Sequence, residues 1–435
     1  MNRIHDGLLT IKGIFLYERF LKKSKYFSDE EIKILQDKWL SKLLKHCYKN
    51  IPSYSSSFRE CGLDVNSVDP LRELQKLPIL TKRDIQSNHG SFCVAGAAKK
   101  SVRFSTSGTT GEPMTAYTSF NQWVFEQGIV WRQWKDAGYN FRDKIAIFRS
   151  YAPRDGQPLI KKDRLRNWSY FSVYDMSESD VDLYAKYLQK WKPKFLRGYP
   201  SALNLIAEHA LRNGWQLPSL KAAFSASEVV PVNLRKNLRE AFNIDLFDHY
   251  GQAEITCMFH ECEQHEGMHL NWEYGLVELL PTDEKNVYRI IATNLHNFSM
   301  PLLRYDTGDL AVGFWEKCKC NRSAMKIESI RGRRDDYLVM SDGSFTSAVN
   351  LYTYFAYFSG IKKFQLIQEC IGELITMVEF YGVITDENWE ELTGQIINDL
   401  KSKTNLLIKC PRETHFTQSG QGKFSAFIQR VKNVS

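Results

Sequence analysis

The sequence predicts an α/β protein. A large N-terminal domain with parallel-rich sheets and a small antiparallel region precedes a small, mobile α+β C-terminal domain. Three observations predict this. The chain has 435 residues, more than one typical core holds, so two domains are expected. From about residue 100 onward, short apolar runs alternate with helical ones, as in a parallel α/β sheet whose ligands sit beyond the strands' carboxyl ends. The run RGRRDD (331–336) then interrupts the apolar pattern, dividing 1–332 from 333–435.

Residues 1–95 read mainly as helix, with an apolar stripe through Leu35, Trp39, Leu43 and Leu44. VRFST (102–106) and MTAYT (114–118) read as strands flanking a Gly/Ser/Thr loop. A helix follows over 119–137, with Ser119 as N-cap and Gly138 just past its end. KIAIF (144–148), KFLRGY (194–199), KAAFSAS (221–227) and IDLFDHY (244–250) are short apolar strands. Helical patterns at 178–191, 201–213 and 231–242 separate the later ones. Over 275–315, VELL, VYRIIAT and DLAVGFW are joined by turns and read as antiparallel. The C-terminal part offers a helix (347–358), a hairpin (FQLIQE, then ELITMVEFY) and a helix from Asp386 with Trp389, Leu392, Ile396 and Leu400 on one face.

Hydrophobic residues make up 43% and charged residues 25%, enough for a large core. The net charge of +8 comes from scattered basic residues with no like-charged block, which argues against a nucleic-acid tail. The early apolar stretch GLLTIKGIFLYERF is interrupted by Lys12 and lacks a small-residue cleavage site, so no signal peptide is read. The longest uncharged run, 343–361, is too polar for membrane insertion. Nine cysteines, an odd number, point to a reducing, cytoplasmic setting.

STSGTTGEP (105–113) lacks the GK[ST] of a Walker A loop. Read alone, it is either a flexible hairpin loop or a cradle for polyphosphate. Gly108 and Gly111 would bring backbone N–H groups to an anion, and Ser107, Thr109 and Thr110 would add hydroxyls. Cys262, His269, Cys318 and Cys320 would supply four soft ligands for a tetrahedral structural zinc, with Cys257, His260 and His265 as rivals. Their spacing is not the usual CxxC pairing, so reduced thiols and ordinary histidines are the alternative.

Further segments arrive in the order of one family. SASEVVP (225–231), DHYGQAE (248–254), RYDTGDL (304–310), RGRRDD (331–336) and QGKFSAF (421–427) follow STSGTTGEP, and HCYKNIPSY (46–54) and LPILTKRDI (77–85) precede it. The chain resembles the adenylate-forming superfamily, specifically its phenylacetate–CoA ligase-like branch, which includes capsule-locus CapK-like proteins.

That resemblance implies ATP-dependent activation of a carboxylic acid as an acyl-adenylate, with release of pyrophosphate. The acyl group then passes to a thiol, with coenzyme A as cosubstrate. An amine or hydroxyl acceptor, or a non-catalytic nucleotide-binding role, are the alternatives. By resemblance Ser107 to Gly111 hold phosphates, Ser227, Glu228, Asp248, His249, Tyr250, Gly251 and Gln252 frame adenine, and Asp309 and Arg333 approach the ribose. Without the family these residues read as core, turn or surface groups. Glu254 becomes the magnesium ligand, a hard oxygen for a hard ion, where the bare sequence offers a helix-start carboxylate. Asp335 becomes the hinge and Lys423 the catalytic cation. Glu112 stands where the family commonly carries Lys, which removes a possible contact to the departing pyrophosphate. A C…H…CxC set like the one above occurs in some relatives and supports zinc. The acid's pocket is expected between the 119–137 helix and the strands ending near Gly198 and Ala226, and a homodimer is compatible with the family.

Overall fold

Five parallel strands form the middle of the molecule. The computed structural model describes residues 3–105, 114–149, 151, 153, 157–173, 176–231, 233–314, 318–333, 337–341, 345–348, 351, 354–355, 358, 360–412, 415–417 and 424–431. The parallel strands, in spatial order, are Trp168–Phe171, Ile145–Phe148, Phe195–Gly198, Ala222–Ala226 and Asp245–Gly251. The expected parallel-rich sheet carries antiparallel strands at both edges. Ile160–Asp163 closes one edge antiparallel, and Met258–Glu261, Met268–Leu270 and Lys326–Ile327 extend the other edge antiparallel. The physical reason is connection length: the turns before Met258 and Met268 are too short for a crossover, so those strands must reverse.

Both faces of the parallel strands are apolar because helices cover both. Ala146, Phe148, Leu196, Ala223 and Leu246 pack under helices Glu178–Trp191, Pro200–Asn213 and Leu234–Phe242. Ile145, Ile147, Phe195, Phe224 and Phe247 pack under Trp131 and Trp134 of helix Phe120–Asp136. That helix starts where Ser119 accepts the Gln122 N–H and stops before Gly138, whose φ of 84° suits glycine. The helix expected over 231–242 begins only at Leu234, because the chain first turns after Pro231.

Gly275–Pro281, Val287–Asn294 and Tyr305–Val312 form the expected antiparallel sheet, joined by Ser329–Arg333. The strands Val102–Ser105 and Thr115–Thr118 pair with each other as a separate ribbon. The N-terminal residues are helical, and Leu43 and Leu44 of helix Asp29–Asn50 reach a core shared with Leu302 and Tyr305. In the C-terminal part, Ile361–Gln368 and Glu373–Phe380 form the expected hairpin, flanked in parallel by Leu407–Lys409 and Phe427–Gln429. Helix Asp386–Thr404 buries Ile396 and Leu400 against it, in a core drawn from residues 338–427. The helix expected over 347–358 lies largely outside the described residues. No described helix is long and apolar enough to cross a membrane.

Candidate active site

Side chains alternate along strand Asp245–Gly251, so Asp248 and Tyr250 share one face while Phe247 and His249 share the other. The Tyr250 phenol donates to Asp309 Oδ2 at 2.6 Å, which joins two segments far apart in sequence. Burial and the Asp309 charge push that phenol well above its ordinary range, so it stays a neutral donor. Asp309 in turn faces Arg333 across paired strands, which brings the Arg333 backbone beside it. Glu254, buried, accepts from Tyr305 Oη at 3.1 Å. Between Gly251 and Glu254 the chain turns sharply, with Gln252 Nε2 donating to Thr256 Oγ1 and Ile255 at a φ of 56°.

Ser227 follows strand Ala222–Ala226 with a φ of 77°, an unusual left-handed position for a residue with a Cβ. Glu228 follows this turn. Its Oε2 accepts the Ser201 N–H at 3.1 Å, and its Oε1 accepts the Phe424 N–H at 2.9 Å. Glu228 therefore tethers the C-terminal part to the expected adenine segment. Asp248 is occupied internally: Ser225 Oγ donates to it at 2.6 Å, and its own N–H reaches Glu261. Burial, then the Glu261 charge, push Asp248 up to about 8. Ser107, Gly108, Thr109, Thr110, Gly111, Asp335 and Lys423 lie outside the described residues.

The face expected to hold the acid carries charges that sequence reasoning missed. Arg197 extends from strand Phe195–Gly198 with its guanidinium 4.8 Å from the Trp134 ring centre. Arg149 follows strand Ile145–Phe148 and lies 5.7 Å from the Tyr199 ring centre. Helix Phe120–Asp136 adds Glu126, which accepts from Tyr274 Oη at 2.5 Å. His249, assigned above to the adenine frame, lies on this face; burial, then Arg197 and Arg149, hold it down at about 3, hence neutral. The available signal was a charge at the carboxyl end of an otherwise apolar run, in KIAIFR and KFLRGY. Gly198 permits this packing, since a Cβ there would stand 2.8 Å from the Phe148 carbonyl oxygen.

Cys262, His269, Cys318 and Cys320 converge, with all ligand atoms within 4.8 Å of one another. Cys262 Sγ lies 3.8 Å from Cys318 Sγ, and Cys320 Sγ lies 3.3 Å from His269 Nε2. Tetrahedral zinc, with about 2.3 Å bonds to sulfur, spaces thiolate ligands about 3.8 Å apart. The four donors therefore fit such an ion. Gly267, at a φ of 94° and with no room for a Cβ beside the Ile327 carbonyl, lets His269 enter the group. The rivals are engaged elsewhere. His260 meets Arg322 at 2.8 Å, His265 packs edge-on to Phe247, and Cys257 receives Gln252.

Residues 172–278, which span Ser227 to Glu254 and the Cys262–His269 loop, match the AMP-binding enzyme family. Protein CapK of Staphylococcus aureus is 24% identical over 98% of this chain and 96% of its own length. A phenylacetate-coenzyme A ligase of Thermus thermophilus is 28% identical over 72% of each chain. Among solved structures, 2-hydroxyisobutyryl-CoA ligase in its postadenylation state overlays with a TM-score of 0.67 at 16% identity, covering 93% of this chain and 90% of that one. The same ligase in its thioesterification state, covering 94% and 91%, overlays at 0.57. These overlays speak for the fold.

Proposed function

We propose that this chain is an adenylate-forming enzyme, as its match over residues 172–278 and its similarity to CapK and phenylacetate-coenzyme A ligase support, and that it activates a carboxylic acid with ATP. The acid's oxygen attacks the α-phosphorus, pyrophosphate leaves, and the acyl group passes from the acyl-adenylate to a thiol, coenzyme A in this reading. The observation that carries the proposal is the Tyr250–Asp309 hydrogen bond, with Glu254 nearby in sequence at the carboxyl end of a parallel strand. It supports a nucleoside site in which Tyr250 offers a flat face to adenine and Asp309 keeps acceptor capacity for ribose hydroxyls. Glu254 would hold magnesium, and the 107–111 loop the phosphates. Lys423 would neutralise charge developing at the α-phosphate. Asp335 is the proposed hinge between 1–332 and 333–435, a division supported by the separate core of residues 338–427. Nine free cysteines favour a reducing compartment, the cytoplasm in our reading.

The test is ATP–pyrophosphate exchange across a panel of carboxylic acids, followed by product analysis with and without coenzyme A. Acid-dependent exchange and coenzyme A-dependent AMP release are expected. Product formed on an added amine or alcohol without coenzyme A would move the acceptor. No exchange with any acid would reduce the chain to a nucleotide-binding protein.

The Cys/His set offers four protein donors, enough to complete a tetrahedral site, so we read its ion as structural zinc. It would tie the 262–269 loop to the segment carrying Arg322. That arginine, 4% exposed, donates to Asp136 and Glu263 at 2.9 Å each. Near-stoichiometric zinc is expected in protein purified without chelators. Cys318→Ser should lower both the zinc content and the melting temperature, because a metal held by the folded form stabilises it. Metal analysis that finds no zinc would end this reading.

A further inference from the structure

In the adenylation reading the acid is expected between helix Phe120–Asp136 and the carboxyl ends of the parallel strands, and the charges found on that face bear on the substrate. Arg197 is in register with Ile147, Phe224 and Phe247, the apolar floor beneath that helix. It therefore faces away from Asp248 and Tyr250, which lie on the other side of the sheet. His249 belongs to the same face as Arg197, and Arg149, just past Phe148, lies close enough for its charge to act on both. The group that reacts with the nucleotide has to reach the Tyr250–Glu254 end. Arg197 and Arg149 consequently meet the other end of whatever acid is bound.

Their charge is poorly compensated. Among the described residues neither guanidinium makes a salt bridge or a side-chain hydrogen bond, and each has only an aromatic ring against it. An aromatic face leaves the in-plane N–H donors of a guanidinium unused. The carboxylate felt by both is Glu126, and it is already held by Tyr274. The two cations also oppose each other: burial and the Arg149 charge lower Arg197 to about 9. A wholly apolar acid would cover these donors without pairing them, a costly arrangement. A ligand with an anion at that point would pair them.

We propose that the acid taken by this site carries a second anionic group, a carboxylate or a phosphate, bound by Arg197 and Arg149 at the end of the pocket remote from the nucleotide. This rests on the acid-adenylation reading above.

The test compares matched acids in ATP–pyrophosphate exchange: butyrate against succinate, phenylacetate against 4-carboxyphenylacetate, with 3-phosphoglycerate as the phosphate arm. At least one doubly anionic acid should exceed the singly charged acids in kcat/KM by about a hundredfold. Succinate or carboxyphenylacetate leading identifies a second carboxylate, and 3-phosphoglycerate leading identifies a phosphate. Arg197→Met, and independently Arg149→Met, should erase most of that preference while KM for ATP moves less than about twofold. Singly charged acids turned over as well as their partners by wild-type protein would overturn the proposal and leave adenylation standing. So would a variant that raises KM for ATP as much as KM for the acid, since the arginines would then serve the nucleotide. Exchange with no acid of either kind would overturn the adenylation reading itself, and this one with it.

Discussion

Lys423→Ala should slow acyl-adenylate formation by about a hundredfold or more, the usual loss when one preorganised charge contact is removed from a transition state. ATP affinity should be largely retained, because the residues proposed to frame the nucleotide, from Ser107 to Arg333, are untouched by this substitution. The surroundings make this substitution a clean probe. The next residue, Phe424, is held through its backbone N–H by Glu228, so a side-chain truncation at 423 leaves that tether in place. Its ring is further fixed by the Lys363 ammonium, 4.6 Å from the ring centre. Lys363 itself is lowered by burial, with the charges of Glu379 and Glu228 acting in the opposite direction. The measurement is exchange rate at saturating acid, beside nucleotide binding by calorimetry. An unchanged exchange rate would remove Lys423 from the catalytic set and leave Glu228 with a structural role alone.

How much of this was legible in the sequence differs from residue to residue. The central strands were legible because a strand buried on both faces must be apolar throughout, as KIAIF and KAAFSAS are. Ile160–Asp163 was not, since an edge strand with Lys161 and Lys162 exposed carries no apolar run. Met268–Leu270 and Lys326–Ile327 are too short to show any period. Those two strands are what bring His269 within reach of Cys320, so the metal donors were legible as chemistry but not as geometry. Tyr250 and Asp309 were marked by resemblance alone, because a tyrosine in an apolar strand looks like core. Arg132 and Arg197 were missed for a different reason. A charge inside an apolar segment is explained by its partners, and these lie on elements that only the fold brings near.

Arg132 gives the largest expected loss of stability. Its side chain is 2% exposed and that of Glu273 is 0% exposed. The two are paired bidentately, at 2.6 and 3.1 Å. The same guanidinium reaches Asn271 at 2.6 Å and the Leu21 carbonyl at 3.2 Å, while Ser24 donates to Glu273. One arginine thus ties helix Phe120–Asp136 to the N-terminal segment and to the loop before Gly275. Arg132→Met keeps most of the volume but leaves Glu273 a buried charge with only a hydroxyl donor. Breaking such a pair costs about 3–5 kcal/mol, against a total of about 5–15 kcal/mol for a whole domain. Glu273→Leu alone should cost a similar amount by stranding the guanidinium. The double variant, Arg132→Met with Glu273→Leu, should recover much of the loss, because replacing both ions removes the unpaired charge. Melting temperatures of the four proteins test this. Additive losses would mean that each residue acts through separate contacts, Asn271 and Leu21 on one side and Ser24 on the other. The same helix carries Glu126, and its Gln133 donates to the Asp248 carbonyl at 2.9 Å. A loosened anchor should therefore also raise KM for the acid in the single variants, and the double variant should bring it back toward the wild-type value.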